Sequence, residues 1–550
     1  MESSNTIPSI AVTSTNFRRR AWIAPLIVAV VVLAVYWPAI SNDFVEWDDL
    51  MLILSNPRFN PPTWASVGWY WTHAAWNLYM PLTCTLWAGL AKLGWVATPD
   101  QFGGHMDPYV FHLAGLLLHL AAALSLFAIL RRAVRNDGAA MIGALVFAVH
   151  PIQVEAVAFV GALNNPLFAS LSLFAIWQYL RFGSSCTTAT PGSEVRRRPG
   201  SAAEESGSSV YLRTRREGEV GRWGSFIAGS IALILAMLAK PTAVVVPAVA
   251  LVLDLAVNHR PWRKAVRSIL PWVVLVVPCV VWTKLFQHGA AAPSPLWSRP
   301  FIAGDAFTFY LGKLVFPFNL GIDYGHNPPA VLANALSYVI WVIPAGLLVL
   351  AWLIRRSWPL LAAGVVIFLV ALLPNSGLVP FDYQKISTTA DRYVYLSMMG
   401  PALAVAVLLA RRWTRVLVTL AVVVLVGWAA LSEVQIQTWR NGGTLFRHAI
   451  EVNPGSWMAR INLGNIVTDR SPDEGIRLCR EALELHPDSP IAYNNLGSAL
   501  MMKGDRAAAV EAFAAAHRLD PAAPLYAANY ARALAENQRA AREQRSTTQR

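Results

Sequence analysis

Residues 305–322, DAFTFYLGKLVFPFNLGI, decide the topology of this chain. The run is apolar, but it is short and carries Lys313 and Pro317. A membrane-crossing helix needs about 20 mostly apolar residues. Eleven other stretches read as spans: 21–40, 108–131, 139–160, 165–182, 224–240, 241–258, 268–286, 335–354, 357–373, 393–410 and 415–432. Basic residues gather at the cytoplasmic ends of spans. With Arg18, Arg19 and Arg20 inside, eleven spans also place Arg131, Arg132 and Arg135 inside. The same holds for RRR at 196–198, RTRR at 213–216, HRPWRK at 259–264, Arg355 with Arg356, and RRWTR at 411–415. If 305–322 crossed as well, the last two clusters would fall outside. The run is therefore read as re-entrant or interfacial, and the C-terminus is predicted outside.

Working outward, composition supports an all-α integral membrane protein. The chain is 55% hydrophobic and 14% charged, against about 25% charged in soluble domains. The net charge of +13 sits beside apolar runs, where topology signals belong, and does not indicate nucleic acid. Cys84, Cys186, Cys279 and Cys479 are too far apart for a zinc site or a disulfide framework. Residues 1–20 form a polar cytoplasmic tail, and the first apolar run lacks a small-residue cleavage site, so it reads as a retained signal anchor. Residues 183–222 are rich in Gly, Ser, Arg and Glu and read as a largely disordered cytoplasmic loop.

From residue 440 the composition changes. PIAYNNLGSALMMKGDRAAAVEAFAAAHRLDP (490–521) follows the 34-residue tetratricopeptide pattern, with Tyr493, Leu496, Gly497, Leu500, Ala509, Phe513, Ala516 and Pro521 in place. Small residues let two helices approach, and the proline ends the second. An earlier repeat covers about 457–488, and 524–537 reads as a capping helix. A repeat domain over 440–537 and a polar tail over 538–550 are predicted. Such repeats bind peptide, or serve only as a packing appendage.

Ionisable groups at membrane depth are costly, which makes them candidates for function. The topology gathers several on the outer side. Asp48 and Asp49 follow the first span, in a loop over 41–107. His150 and Glu155 lie in FAVHPIQVEAV (147–157), and Asn164 and Asn165 in the next outer turn. Lys240 closes the fifth span, Asp391 and Arg392 precede the tenth, and His119 lies on the second, two turns deeper than His112. Each has a plainer reading: a snorkelling Lys240, a local Asp391–Arg392 ion pair, His150 bonded to backbone, His119 packed between helices, or Asp48 and Asp49 as helix caps. A single cap needs one acid. Two adjacent carboxylates suit a general base with an orienting partner.

DFVEWDD (43–49), YMPLT (79–83), FHLAGLLLH (111–119), FAVHPIQVEAV, LAKPTAVVVPAVALVLD (238–254) and ADRYVYL (390–396), followed by the repeats, resemble the TMTC group of O-mannosyltransferases in a bacterial-type version. That group is similar to protein O-mannosyltransferases and to other enzymes of the C-type glycosyltransferase fold. The resemblance implies an inverting enzyme using a polyprenyl-phosphate hexose, with mannose the favoured sugar, on the extracytoplasmic face. It implies Asp48 and Asp49 as the catalytic acids, with Lys240, Arg392, His150, Glu155, Asp391 and His119 binding the donor and its phosphate. The donor would be a substrate, with no further cofactor. The Asp pair could take a divalent metal, but no metal-site spacing is present. The expected acceptor is a protein Ser/Thr or glycan hydroxyl docked by the repeats. The expected location is the bacterial inner membrane, with the repeats extracytoplasmic. Two departures stand out. Many relatives carry an Arg or an ERK-like stretch where this chain reads GALNNP (161–166), and some place Arg where it has Met80. Two rival readings are a transporter of lipid-linked sugar and a non-catalytic scaffold for envelope assembly.

Overall fold

The computed structural model describes residues 22–75, 77–99, 103–184, 204–286 and 294–548. Among these residues there is no strand, only isolated bridges such as Trp95–Met106. Among the described residues seven helices are long and apolar enough to cross a membrane: Ile23–Ser41, Pro108–Val134, Val160–Gly183, Arg222–Ala239, Trp262–Phe286, Ser337–Ile354 and Arg415–Thr438. Several leave broad apolar faces exposed, as a bilayer solvent requires. The chain is an integral membrane protein.

The other apolar stretches depart from straight spans. Asp137–Val149 and Pro151–Ala158 form a pair bent by 53°. Pro151 supplies no N–H and forces His150 into an extended conformation (φ −67°, ψ 129°). Pro241 acts the same way on Lys240 (φ −154°, ψ 124°), which breaks Arg222–Ala239 from the shorter Pro241–Val257. Sequence places a span from 393, but the helix begins only at Met399. The residues before it, Asp391–Val394, make a tight 3-10 turn instead. The deciding run forms the helix Arg299–Val315, whose buried face includes Ile302, Ala306 and Tyr310. Lys313 Nζ then donates to the Phe318 and Asn319 carbonyls, at 2.7 and 3.0 Å, and holds the segment that follows the helix.

One expectation is corrected. Part of the supposedly disordered 183–222 segment is helical, because the Glu204–Ala239 helix extends well before the span. Once the span has nucleated a helix, each added residue costs little and gains a backbone bond. Residues 185–203 lie outside the described residues.

The bundle has two chemically distinct ends. At one, Arg131 pairs with Asp137 at 2.9 Å and Arg132 Nη2 donates to Asn258 Oδ1 at 3.0 Å. Arg260 pairs with the buried Asp254 at 3.0 Å, Arg411 donates to the Ser357 carbonyl, and Gly138 lies against Trp413. Four basic clusters that sequence placed on one side thus meet at one end.

The opposite end carries the first loop and the C-terminal helices. The loop is folded rather than open. It has a π-helical turn, Leu50–Leu54, and helices Trp64–Thr72 and Pro81–Leu93 around Ile53, Phe59, Tyr70 and Trp87. It docks on the chain's far end: Asp43 N–H donates to the Arg440 carbonyl at 2.9 Å, and Asn42 Nδ2 to the Ile436 carbonyl at 3.4 Å. From Gly442 a helical array follows: Gly442–Val452, Trp457–Thr468, Pro472–Leu485, Pro490–Lys503, Arg506–Leu519 and Pro524–Thr548. Successive helices approach at small residues, with Gly464 against Cys479 and Gly497 against Phe513. The supposed polar tail continues the final helix to Thr548.

Candidate active site

Four chain breaks converge at the array-side end: the first loop, the bend at His150, the break at Lys240 and the turn at Asp391. A buried ion pair lies at their centre. Arg392 Nη1 bonds Glu155 Oε1, and the Arg392 main-chain N–H donates to Glu155 Oε2 at 2.9 Å. One carboxylate thereby fixes both the side chain and the backbone of the same residue. The guanidinium also lies over Tyr383 and Tyr393, at 4.5 and 5.1 Å from their ring centroids.

Lys240 approaches Tyr393 from another side, with Nζ 5.6 Å from the ring centroid. Its hydrogen-bond acceptor is the neutral Asn165 Oδ1, at 2.5 Å. Among the described residues no carboxylate pairs with it. Two basic side chains therefore flank one aromatic ring, and among the described residues only Arg392 has a carboxylate partner.

The acidic pair divides its work. Asp49 is buried, and both its oxygens are taken: Val45 N–H donates to Oδ2 at 3.0 Å and Gly161 N–H to Oδ1 at 2.6 Å. Burial pushes its carboxyl well above the usual range, while those two N–H groups pull it down and the Asp48 and Glu46 charges raise it again. Asp48 has neither clamp and is only half-buried. Burial raises its carboxyl, and the Arg392 charge draws it partly back. Asp48 is thus the free carboxylate in electrostatic reach of Arg392, and Asp49 ties its loop to the 161–166 turn. Asp49→Ala leaves two buried N–H groups unpaired, with an expected loss of about 1–3 kcal/mol each at most. A lowered unfolding temperature of the purified protein checks this.

Asp391 does not pair with Arg392. Its Oδ1 accepts from Tyr324 Oη at 2.8 Å, and burial, followed by the Glu155 charge, raises its carboxyl well above normal. Tyr324 belongs to a loop that the array holds. Ser456 Oγ donates to Asp323 Oδ2 at 2.6 Å, and His448 Nε2 bonds the Leu320 carbonyl at 2.8 Å.

Two expected site residues are corrected. His119 is fully buried, with Nδ1 on Tyr395 Oη at 2.5 Å and Nε2 on the Ala148 carbonyl at 3.0 Å. It joins helices and has no ring nitrogen left for a ligand. His150 Nδ1 accepts from Ile152 N–H, and its Nε2 bonds the Leu314 carbonyl, both at 3.2 Å; Trp428 covers its ring. It caps the turn after the bend. Sequence missed Tyr324, Tyr383 and Tyr393, because a tyrosine near a membrane edge is an ordinary interfacial anchor. ADRYVYL placed Tyr393 beside Arg392, and that adjacency was the available signal.

The two departures from the family pattern meet in space: Asn164 Nδ2 lies 3.9 Å from Met80 Sδ. The uncharged GALNNP turn also contributes Gly161 N–H to Asp49 and Asn165 to Lys240. Among the described residues no cluster of three His, Cys, Asp or Glu side chains could hold a metal ion.

No family model matches the chain. It is similar to the protein O-mannosyl-transferase TMTC2 of human and of mouse, 30% identical over 261 residues in each case. That match covers 46% of this chain and only 26% of the relatives' length. The human protein O-mannosyl-transferase TMTC1 is 32% identical over 158 residues, covering 26% of this chain and 16% of the relative. Among solved structures it is similar to ArnT from Cupriavidus metallidurans, in a crystal structure bound to undecaprenyl phosphate. That match covers 90% of this chain and 80% of the other, at 14% identity and a TM-score of 0.34.

Proposed function

We propose that this protein is a membrane glycosyltransferase of the C-type class that moves a hexose, mannose, from a polyprenyl phosphate to a hydroxyl acceptor on the extracytoplasmic face. The observation that carries the reading is the half-buried Lys240, held by a neutral amide, without a paired carboxylate among the described residues and beside Arg392. A partly buried amine held only by a neutral amide gains when a ligand supplies an anion. The donor phosphate fits that need. The similarity to protein O-mannosyl-transferases supports the sugar and the hydroxyl acceptor.

In the proposed reaction Asp48 accepts the proton of the acceptor hydroxyl as its oxygen attacks the anomeric carbon. The bond between that carbon and the phosphate oxygen breaks through an oxocarbenium-like state, and the sugar inverts. Polyprenyl phosphate leaves with the bond's electron pair. Lys240 and Arg392 stabilise its growing negative charge. Glu155 orients Arg392, Asn165 orients Lys240, and Asp49 positions the loop bearing Asp48. Asp391 holds the 320–326 loop against the site. The C-terminal array is read as tetratricopeptide repeats that dock the acceptor, at the periplasmic side of a bacterial inner membrane.

The test is transfer by reconstituted protein from a panel of polyprenyl-phosphate hexoses, with the product anomer assigned by NMR. Movement of lipid-linked sugar across the bilayer without transfer would support a transporter instead. Lys240→Met is expected to raise the donor KM about tenfold to a hundredfold, the loss of one charge-assisted phosphate contact. Asn165→Ala should raise it less. Initial rates against donor concentration check both.

A further inference from the structure

A cleft of about 900 Å³ separates the first loop from the C-terminal array. Asp43 and Glu46 line one wall; Arg447, Asn465 and Arg470 line the other. Its volume is at the upper end of ligand sites, roughly 300–1,000 Å³, and charged side chains stand on both walls.

Glu46 is the unusual group. Its Oε2 is buried without a hydrogen-bond partner among the described residues. It is pressed against Gly442 so closely that a β-carbon there would collide with the carboxylate. An unpartnered carboxylate oxygen shielded from water is unfavourable, so a cation that reaches the part of Glu46 lining the cleft is favoured. Glu46 precedes Asp48 by two residues, so an extended chain separates them by at most roughly 7 Å. Its charge also reaches Asp49. Across the cleft Asn465 is exposed, and its amide can both donate to and accept from a peptide unit. Arg447 and Arg470 are exposed as well, and no ion pair engages either among the described residues. A neutral glycan offers no cation for Glu46. A polypeptide offers a cation, a repeating amide and a hydroxyl together.

We propose that this cleft is the acceptor site, and that it takes an extended polypeptide whose Lys or Arg docks on Glu46 while a Ser or Thr within two residues reaches Asp48. The proposal rests on the glycosyl-transfer reading for its hydroxyl, but its binding step can be measured without transfer. Fluorescently labelled peptides with one Thr, and with Lys, Ala or Glu two residues away, are titrated into the full-length protein in nanodiscs without donor. The Lys peptide is expected to bind about tenfold to a hundredfold more tightly than the Ala peptide. Glu46→Gln should erase that preference, and Glu46→Lys should turn it towards the Glu peptide. Gly442→Ala displaces the same carboxylate by crowding, and serves if a Glu46 variant fails to fold. Equal binding of the three peptides, or competition by a neutral oligosaccharide as strong as by the Lys peptide, overturns the proposal. Charge-selective binding with no sugar transfer from any donor would retain the cleft and overturn the transferase reading. Transfer with charge-blind binding would do the reverse.

Discussion

Asp48→Asn is expected to lower the transfer rate about 10²–10⁴-fold, the contribution typical of a positioned general base. Asparagine keeps the size of the side chain and removes the basic oxygen. The fold should survive, because the loop is anchored by Asp49 and by the Asp43 bond to Arg440 rather than by Asp48. Donor binding should change little, since the proposed phosphate contacts are Lys240 and Arg392. Single-turnover transfer and donor KM measured on the same preparation separate these effects. The pH profile supplies an independent check. Burial raises the Asp48 carboxyl above the usual value of about 3.9. The base form is the ionised one, so activity should be present at neutral pH and fall as pH drops through the raised pKa. The acidic limb should disappear in Asp48→Asn. A variant that retains the wild-type rate and the same limb would remove Asp48 from the chemistry.

The second large effect belongs to the Glu155–Arg392 pair. Arg392→Met leaves the Glu155 carboxylate buried and unpaired, with an expected destabilisation of about 3–5 kcal/mol. It also removes one of the two proposed phosphate contacts, so stability and transfer should fall together. The combined replacement Glu155→Leu with Arg392→Met removes both charges, and should recover most of the stability while transfer stays low. Denaturation midpoints in detergent, compared with donor KM and kcat, check the pattern. A double variant that regains transfer along with stability would mean that the pair is only a structural tie.

Much of this arrangement was readable because two of its breaks are written as residue–proline steps. His150–Pro151 and Lys240–Pro241 mark where helices bend or break, and each falls in or beside the site. Proline restricts the residue before it, so the position of such residues at an irregular backbone could be expected. What they bond to could not. His119 and His150 looked like Lys240 in sequence: polar groups in apolar surroundings. Their satisfaction depends on the Ala148 and Leu314 carbonyls and on Tyr395, none of which has a local sequence signal. The different duties of Asp48 and Asp49 were equally hidden, since one donor to Asp49 comes from Gly161, far along the chain. The 204–221 segment was misread for another reason: its polar composition gave no sign that an adjoining span would propagate a helix through it.

The docking of the first loop on the chain's far end has a consequence for biogenesis. Asn42 and the Ile436 carbonyl are separated by 394 positions. Asp48 emerges early in synthesis, but part of the surface that holds its loop, around Ile436 and Arg440, is made long after it. Contacts between such distant segments form late and carry a large loop-closure cost. The first loop can tie to Gly161 through Asp49 early, but it lacks its contacts to Ile436 and Arg440 until the Arg415–Thr438 span has been inserted. A nascent chain arrested before residue 436 should have its upstream spans in place and its loop still open to protease, whereas the released chain should be protected there.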